Sequence, residues 1–204
     1  AQALAGVTEQ PPGVPALPRV MLPRKVMTEH FDVLETRSPE LREAALMAAL
    51  PGQVALAQTR STAFAGILQG VPAASVRDRA ALARLPVTRK HELLERQQQA
   101  RAQDARNVFG GFSTVGFGAA MPRVFASPGP IYEPEGVGKD YWRMARAIFA
   151  AGFRPSELIH NCFSYHFVPA GSMMETGAQA LGCTVFAGGT GQTEQQVQAM
   201  AELQ

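Results

Sequence analysis

The sequence predicts an α/β fold in which N-terminal helices are followed by a parallel β-α-β-α-β unit. Three observations carry this. Nearly everything before residue 123 reads as helices and coil. From Arg123 onward, short apolar runs alternate with amphipathic stretches of helical period. A loop rich in Gly, Pro or Ser follows each run, and strand, loop, helix is how α/β proteins place ligand loops. The stretch to watch is residues 124–136, Val-Phe-Ala-Ser-Pro-Gly-Pro-Ile-Tyr-Glu-Pro-Glu-Gly, where one pattern gives way to the other.

The helical part divides at its caps and breakers. Residues 1–23 are Pro-rich and aperiodic, an extended or flexible lead-in. Ser38-Pro39-Glu40 is a helix start, with a capping Ser, Pro at the first helical position and then an acid. Leu41, Ala44, Ala45, Ala48 and Ala49 continue that helix, which is expected to break or restart near Pro51-Gly52 and to run on to Gln58. Residues 61–68 form a short helix ended by Gly70, and residues 75–84 a second. Thr88 is the expected cap of a further helix, in which Leu93 and Leu94 read as core contacts. Residues 97–106 are polar and read as a fraying end or a loop. Residues 109–121 are Gly-rich with interleaved Phe109, Phe112 and Phe117, an irregular segment tucked on the core.

Val124-Phe125-Ala126 is the first expected strand. Residues 140–151 form an amphipathic helix with Tyr141, Met144, Ala145, Ile148 and Phe149 on one face, ended by Gly152. A second strand covers residues 158–163, and a helix over 170–181 ends at Gly182. Residues 183–186 are a third strand, and Thr193 is expected to cap a last helix carrying Val197, Met200 and Leu203. Short connections imply right-handed crossovers and a parallel sheet, with ligands at the carboxyl ends of its strands. Three loops occupy that edge: residues 127–134, 164–171 and 188–192.

Composition bounds the function. A hydrophobic content of 46% against 18% charged residues fits a soluble globular chain. The net charge of +2, with basic residues scattered, gives nucleic-acid binding no support. No apolar run approaches the roughly 20 residues that span a bilayer, so no membrane role is expected. Pro11, Pro12, Pro15 and Pro18 interrupt any signal-peptide core, and the setting expected is cytoplasmic. Cys162 and Cys183 sit in apolar runs and read as buried, reduced thiols; the four His residues have no metal-ligand spacing.

The loops differ in chemistry. Phosphate loops work through Gly, whose freedom lets successive backbone N–H groups face an anion, helped by hydroxyls and a Lys. In residues 127–134 only Ser127 and Gly129 are of that type. Pro128, Pro130 and Pro134 have no N–H to give, and Glu133 and Glu135 add negative charge. The second loop clusters Phe163, Tyr165, His166 and Phe167, which suits a flat apolar ligand, but composition alone favours packing as a core cluster with a satisfied His. The third, Gly188-Gly189-Thr190-Gly191-Gln192, permits close backbone approach, or with Thr193 and Gln196 simply starts a helix.

Several ordered segments resemble one family. Leu-Gly-Cys-Thr-Val within residues 177–185, followed by Gly-Gly-Thr-Gly-Gln-Thr-Glu over 188–194, is similar to the Gly-Ala-x-x-Leu-Gly-Cys-Thr-Val and Gly-Gly-Gln-Thr-Glu segments of phenylacetate–CoA ligases. Residues 163–171 lie where that family has a Tyr- and Gly-rich aryl-pocket segment. Leu85-Pro86-Val87-Thr88-Arg89-Lys90 resembles its Leu-Pro-hydrophobic-Thr-Lys run. The resemblance covers residues 31–203 and implies the first part of the large domain of an adenylate-forming enzyme. The implied divisions are a lead-in over 1–23, a helical region over 24–108 and an incomplete nucleotide- and acyl-binding region over 109–204, continuing beyond the chain.

The activity implied is ATP-dependent activation of an aryl or acyl carboxylic acid to an acyl-adenylate, then transfer to coenzyme A, with Mg2+ as metal. The implied nucleotide contacts are Ser127, Gly129 and Glu133; the implied acid contacts are Phe163, Tyr165, His166, Val168 and Gly171. The family is often dimeric, so the resemblance admits a homodimer. Against the family's Ser-Ser-Gly-Thr-Thr-Gly-Lys-Pro loop, Ser127, Gly129 and Pro134 match while Pro128, Pro130, Ile131, Tyr132 and Glu133 do not. Two further readings follow from that departure: a non-catalytic binding module that keeps the fold, or a divergent ligase in which Glu133 or Glu135 holds magnesium. The 204-residue chain alone is expected to be inactive.

Overall fold

The computed structural model describes residues 29–203; the expected lead-in, 1–23, lies outside the described residues. The helical part comprises α1 (Pro39–Arg60), α2 (Thr62–Ile67), α3 (Arg79–Ala83) and α4 (Lys90–Gln103). After it come β1 (Arg123–Ser127), β2 (Ile131–Glu135), α5 (Ala145–Ala150), β3 (Leu158–His160), α6 (Ala170–Leu181), β4 (Thr184–Phe186) and α7 (Thr193–Glu202).

Ser38 caps α1, its hydroxyl accepting from the Leu41 N–H at 3.2 Å. The helix then runs through Pro51 without the expected break. An interior Pro costs about 3 kcal/mol. The turn after it offsets that cost by burying Val54, with Leu50 and Ala57 beside it, in a cluster with Leu68, Val76 and Ala81. Ser61 ends α1 and caps α2, and its hydroxyl donates to the Gly111 carbonyl at 2.8 Å. Asp78 caps α3. Thr88 is not the cap of α4: Arg89 precedes it, and the Arg89 N–H donates to the Glu92 carboxylate at 3.1 Å.

Helix α4 also continues to Gln103, so most of 97–106 is neither frayed nor loop. Its anchor is Gln97, 2% exposed, which both donates to the Tyr132 carbonyl and accepts from the Tyr132 N–H at 2.9 Å. The Gly-rich segment packs on the helices as expected. Phe109 is buried against Phe117, and Phe112 meets Phe64 edge-on.

The strands fall into two sheets. Strands β3 and β4 are parallel, with Ile159 opposite Val185, and form the expected parallel element. The first expected strand is not part of it. β1 pairs antiparallel with β2, from Arg123 opposite Glu135 to Ser127 opposite Ile131. Residues 131–135, expected as loop, are therefore strand. Pro128, Pro130 and Pro134 hid it, because Pro within a run argues against a paired strand. Pro134 is tolerated here because β2 has only one strand neighbour.

Helix α5 begins at Ala145, five residues later than expected. Trp142 donates to the Glu135 carboxylate at 3.0 Å and meets Phe125, while the Tyr141 hydroxyl reaches the Pro134 carbonyl. Those contacts hold residues 141–142 against the hairpin. The Asp140 carboxylate then accepts from the N–H groups of Met144 and Ala145.

The second core cluster joins Ala145, Ile148 and Phe149 of α5 to Ala178 and Leu181 of α6, with Ile159 and Cys183 from the parallel pair. Gly177 permits the approach of α6 to α5, since a Cβ there would lie 2.6 Å from the Met144 Cβ. Cys183 is buried but Cys162 is exposed, which corrects the expectation for that thiol; both are free.

Candidate functional site

Strand β3 ends at His160, three residues early, because Asn161 turns the chain. Its side-chain oxygen accepts from the Phe163 N–H at 3.1 Å, a local bond that competes with the ladder. Asn161 is 3% exposed. Its amide donates to the Tyr165 hydroxyl at 2.8 Å and to the Gly171 carbonyl at 2.9 Å, and its own carbonyl accepts from the Gly189 N–H. One buried side chain thus ties the second loop to the start of α6, and its backbone ties both to the third loop.

Tyr165 stands beneath this turn. Burial pushes its phenol up to about 12, assisted by the neighbouring Glu175 carboxylate and opposed by the Asn161 amide. Gly171 is buried against it, where a Cβ would meet the Ser164 carbonyl and the Tyr165 ring at 2.8 Å. The hairpin joins from the other side. Ala126 and Tyr132 face each other in the ladder with their backbone groups directed outward. Tyr132 is held by Gln97, and the Ala126 N–H donates to the Phe167 carbonyl at 2.8 Å. The second and third expected loops therefore meet at Asn161, and the strand leading into the first is bonded to the second.

The third loop is braced by Gln196 of α7, not by a Thr193 cap: Gln192, with φ 49°, precedes that helix. The Gln196 amide donates to the carbonyls of Gly189 and Gly191, so its oxygen is the acceptor toward His160 Nε2 at 2.9 Å. His160 therefore carries its proton on Nε2.

Ser127 and Glu133 line one cleft of about 360 Å³ with Thr88, Arg89, Lys90, Leu93 and Ile131. Gly129 lies at the exposed tip of the hairpin turn. The expected acid contacts do not share one cavity. Phe163, 52% exposed, borders an apolar cavity of about 410 Å³ with Phe153, Ile159, Cys162 and Met174. His166 is exposed, and Val168 is half-buried on the same loop. Glu135 is withdrawn from any magnesium role. It is buried, with one oxygen held by Arg123 at 2.7 Å and the other by Trp142. Among the described residues no three His, Cys, Asp or Glu side chains converge as a metal site.

The charge that the turn lacks stands opposite it. Arg89 and Lys90, at the start of α4, face the cleft that Ser127 and Glu133 border. Sequence reading had placed the pair in a recognisable run without assigning it a role. Asn161 and Gln97 carried no role in the sequence reading, and Gln196, expected only at a helix start, instead braces the third loop. The available signal for Asn161 was a single amide directly after an apolar strand, at the edge where such sheets bind ligands.

The chain is 32% identical over 142 residues to a phenylacetate-coenzyme A ligase of Aromatoleum evansii, a match covering 66% of this chain and 30% of that one. It is a relative of the phenylacetate–coenzyme A ligases. The counterpart from Thermus thermophilus is 29% identical over 132 residues, covering 60% of this chain and 26% of its own length. No protein-family model matches the chain.

Solved structures of 2-hydroxyisobutyryl-CoA ligase share the fold. One, in complex with 2-HIB-AMP in the postadenylation state, superposes with a TM-score of 0.67 at 20% identity over 81% of this chain and 35% of that one. Another, an open conformation with 2-HIB-AMP and CoA, gives 0.68 over 82% and 40%. The chain thus has the fold of an adenylate-forming CoA ligase domain, and it spans about 30% of the curated ligase from Aromatoleum evansii. No described helix is long and apolar enough to cross a membrane.

Proposed function

We propose that this chain supplies the N-terminal portion of an ATP-dependent acid–coenzyme A ligase. The observation that carries this is the joining of the second and third loops at Asn161, through Gly171 and Gly189, with the hairpin bonded to the second loop from Ala126 to Phe167. In this reading residues 24–108 form the helical region and 109–204 part of the nucleotide- and acyl-binding region. The acid's carboxylate attacks the α-phosphorus of ATP and expels pyrophosphate. The coenzyme A thiolate then attacks the acyl carbonyl and expels AMP.

Ser127 and Gly129 contact the phosphates, and Arg89 and Lys90 supply the cationic charge absent from the turn. Magnesium takes one or two carboxylates, phosphate oxygens and waters; Glu133 is the acid placed to serve it. Phe163, Tyr165, His166, Val168 and Gly171 belong to the acid-binding loop, with an aryl or acyl carboxylic acid as substrate and a homodimer as the assembly.

ATP–pyrophosphate exchange by the full-length protein, with a panel of aryl and acyl acids, tests the reading; acid-dependent exchange is expected. No exchange with any acid, together with no ATP binding by calorimetry, would sink it. A second reading is favoured by the turn itself. Pro128-Gly129-Pro130 offers a single backbone N–H, where a phosphate loop presents several. A binding module of this kind takes up an aromatic acid without exchange and without ATP, so the same two measurements separate the readings.

A further inference from the structure

A further cleft lies away from the loops, between the segment before α1, the first turns of α1 and the approach to α5. It has a volume of about 620 Å³ and is lined by Leu34, Glu35, Arg37, Arg42, Leu46, Arg143 and Arg146. We propose that three of its four arginines, Arg37, Arg42 and Arg143, form a binding site for a phosphate monoester on an organic ligand.

The acids nearby are already committed. Arg146 takes Asp32 at 2.5 Å and Glu35 at 2.6 Å, and its guanidinium lies over the Phe31 ring. The Arg146 guanidinium holds the Asp32 carboxyl below its usual range; for Glu35 the Phe31 N–H does so first, with Arg146 next. Both acids therefore stay ionised and spend their charge on Arg146. Arg37 uses its Nε on the Leu34 carbonyl, which orients the guanidinium and leaves its terminal nitrogens free. Among the described residues, no acid lies within ion-pair distance of Arg37, Arg42 or Arg143.

Arg143 adds a second kind of observation. It adopts a left-handed backbone at φ 60°, a conformation that side-chain-bearing residues seldom hold and that clusters at ligand sites. Planar guanidinium forks match phosphate oxygens in pairs, which ammonium groups do not. Leu34 and Leu46, 48% and 52% exposed, give the cleft an apolar wall for the organic part of the ligand. The chemistry is shared by the 3′-phosphate of coenzyme A and by the phosphate of a simple nucleotide. The proposal does not rest on ligase turnover.

The test is calorimetric titration of the full-length protein with adenosine 3′,5′-bisphosphate, AMP and adenosine. Both phosphate esters should bind and adenosine should not. An Arg42→Gln, Arg143→Gln double variant should weaken ester binding by about tenfold or more, as expected for two charge-assisted contacts. Both residues are exposed, so an unchanged thermal midpoint is expected; Arg37→Gln alone should give a smaller loss and serves if the double variant misfolds. Tighter binding of the bisphosphate than of AMP assigns the site to coenzyme A's 3′-phosphate, and equal binding to nucleotides generally. Undiminished ester affinity in the double variant, or no ester binding at all, would overturn the proposal.

Discussion

Asn161 makes three side-chain hydrogen bonds from a buried position, to Tyr165, Gly171 and Phe163. Removing one partner strands the others, and each stranded buried group costs about 1–3 kcal/mol. Asn161→Ala should therefore lower unfolding stability by about 3 kcal/mol in chemical denaturation. A loss below about 0.5 kcal/mol, the level of an ordinary surface change, would show that the network is not formed. Gly171→Ala tests the same turn from its other side. A Cβ at 2.8 Å from a carbonyl and a ring must push something aside, at about 1–3 kcal/mol.

Tyr165 supplies a pH signature. Its folded-state value, about 12, lies above the usual 10.0, so the folded protein holds the phenolic proton more tightly than the unfolded chain. Its contribution is complete below pH 10.0 and is lost as pH rises toward about 12. Absorbance titration should show one of the three tyrosines ionising late, and Tyr165→Phe should abolish that phase. A wild-type protein whose tyrosines all titrate together near pH 10.0 would contradict it.

Among the elements, the β1–β2 hairpin depends most on its neighbours. Two strands alone are marginal in water. This pair is fastened on one edge by Gln97, on the other by the Phe167 carbonyl, and at its base by Arg123, Glu135 and Trp142. Gln97→Leu fills the same space but leaves both Tyr132 backbone groups unpaired. Stability should fall by about 1–3 kcal/mol, with hydrogen exchange rising first at Tyr132. Uniform exchange across the chain would argue against a local fastening. The start of α4 carries the functional prediction: Lys90→Ala should raise the KM for ATP by about tenfold, the worth of one charge-assisted contact, with the kcat for exchange much less affected. An unchanged KM would remove Lys90 from the phosphate site.

At the scale of the molecule, the parallel pair β3–β4 stands as a two-stranded sheet. Parallel sheets are usually covered on both faces. Here Met200 of α7 and Leu203 just after it border an open cavity with Leu158 and Phe186, and Val197 is 60% exposed. The chain matches about 30% of one ligase's length and 35–40% of the solved CoA ligases. The 204-residue chain should then show no ATP–pyrophosphate exchange with acids that the full-length protein activates. Exchange by the short chain would mean that the site is complete within it.

The sequence by itself determined the helix cap at Ser38, the helix over 170–181 with its Gly182 terminus, the parallel pairing of β3 with β4 and the resemblance to the ligases. These rest on local spacing and on residue types whose backbone preferences act within a few positions. Only the tertiary structure decided that α1 passes through Pro51, that residues 131–135 are strand and that α5 starts at Ala145. It also decided that Gln97, Asn161 and Gln196 bind the loops together. In several of these the local preference was outweighed by a partner distant in the chain: Leu68, Val76 and Ala81 for Val54, Tyr132 for Gln97, His160 for Gln196. A buried polar group must find such a partner, and neither composition nor periodicity says where it will be.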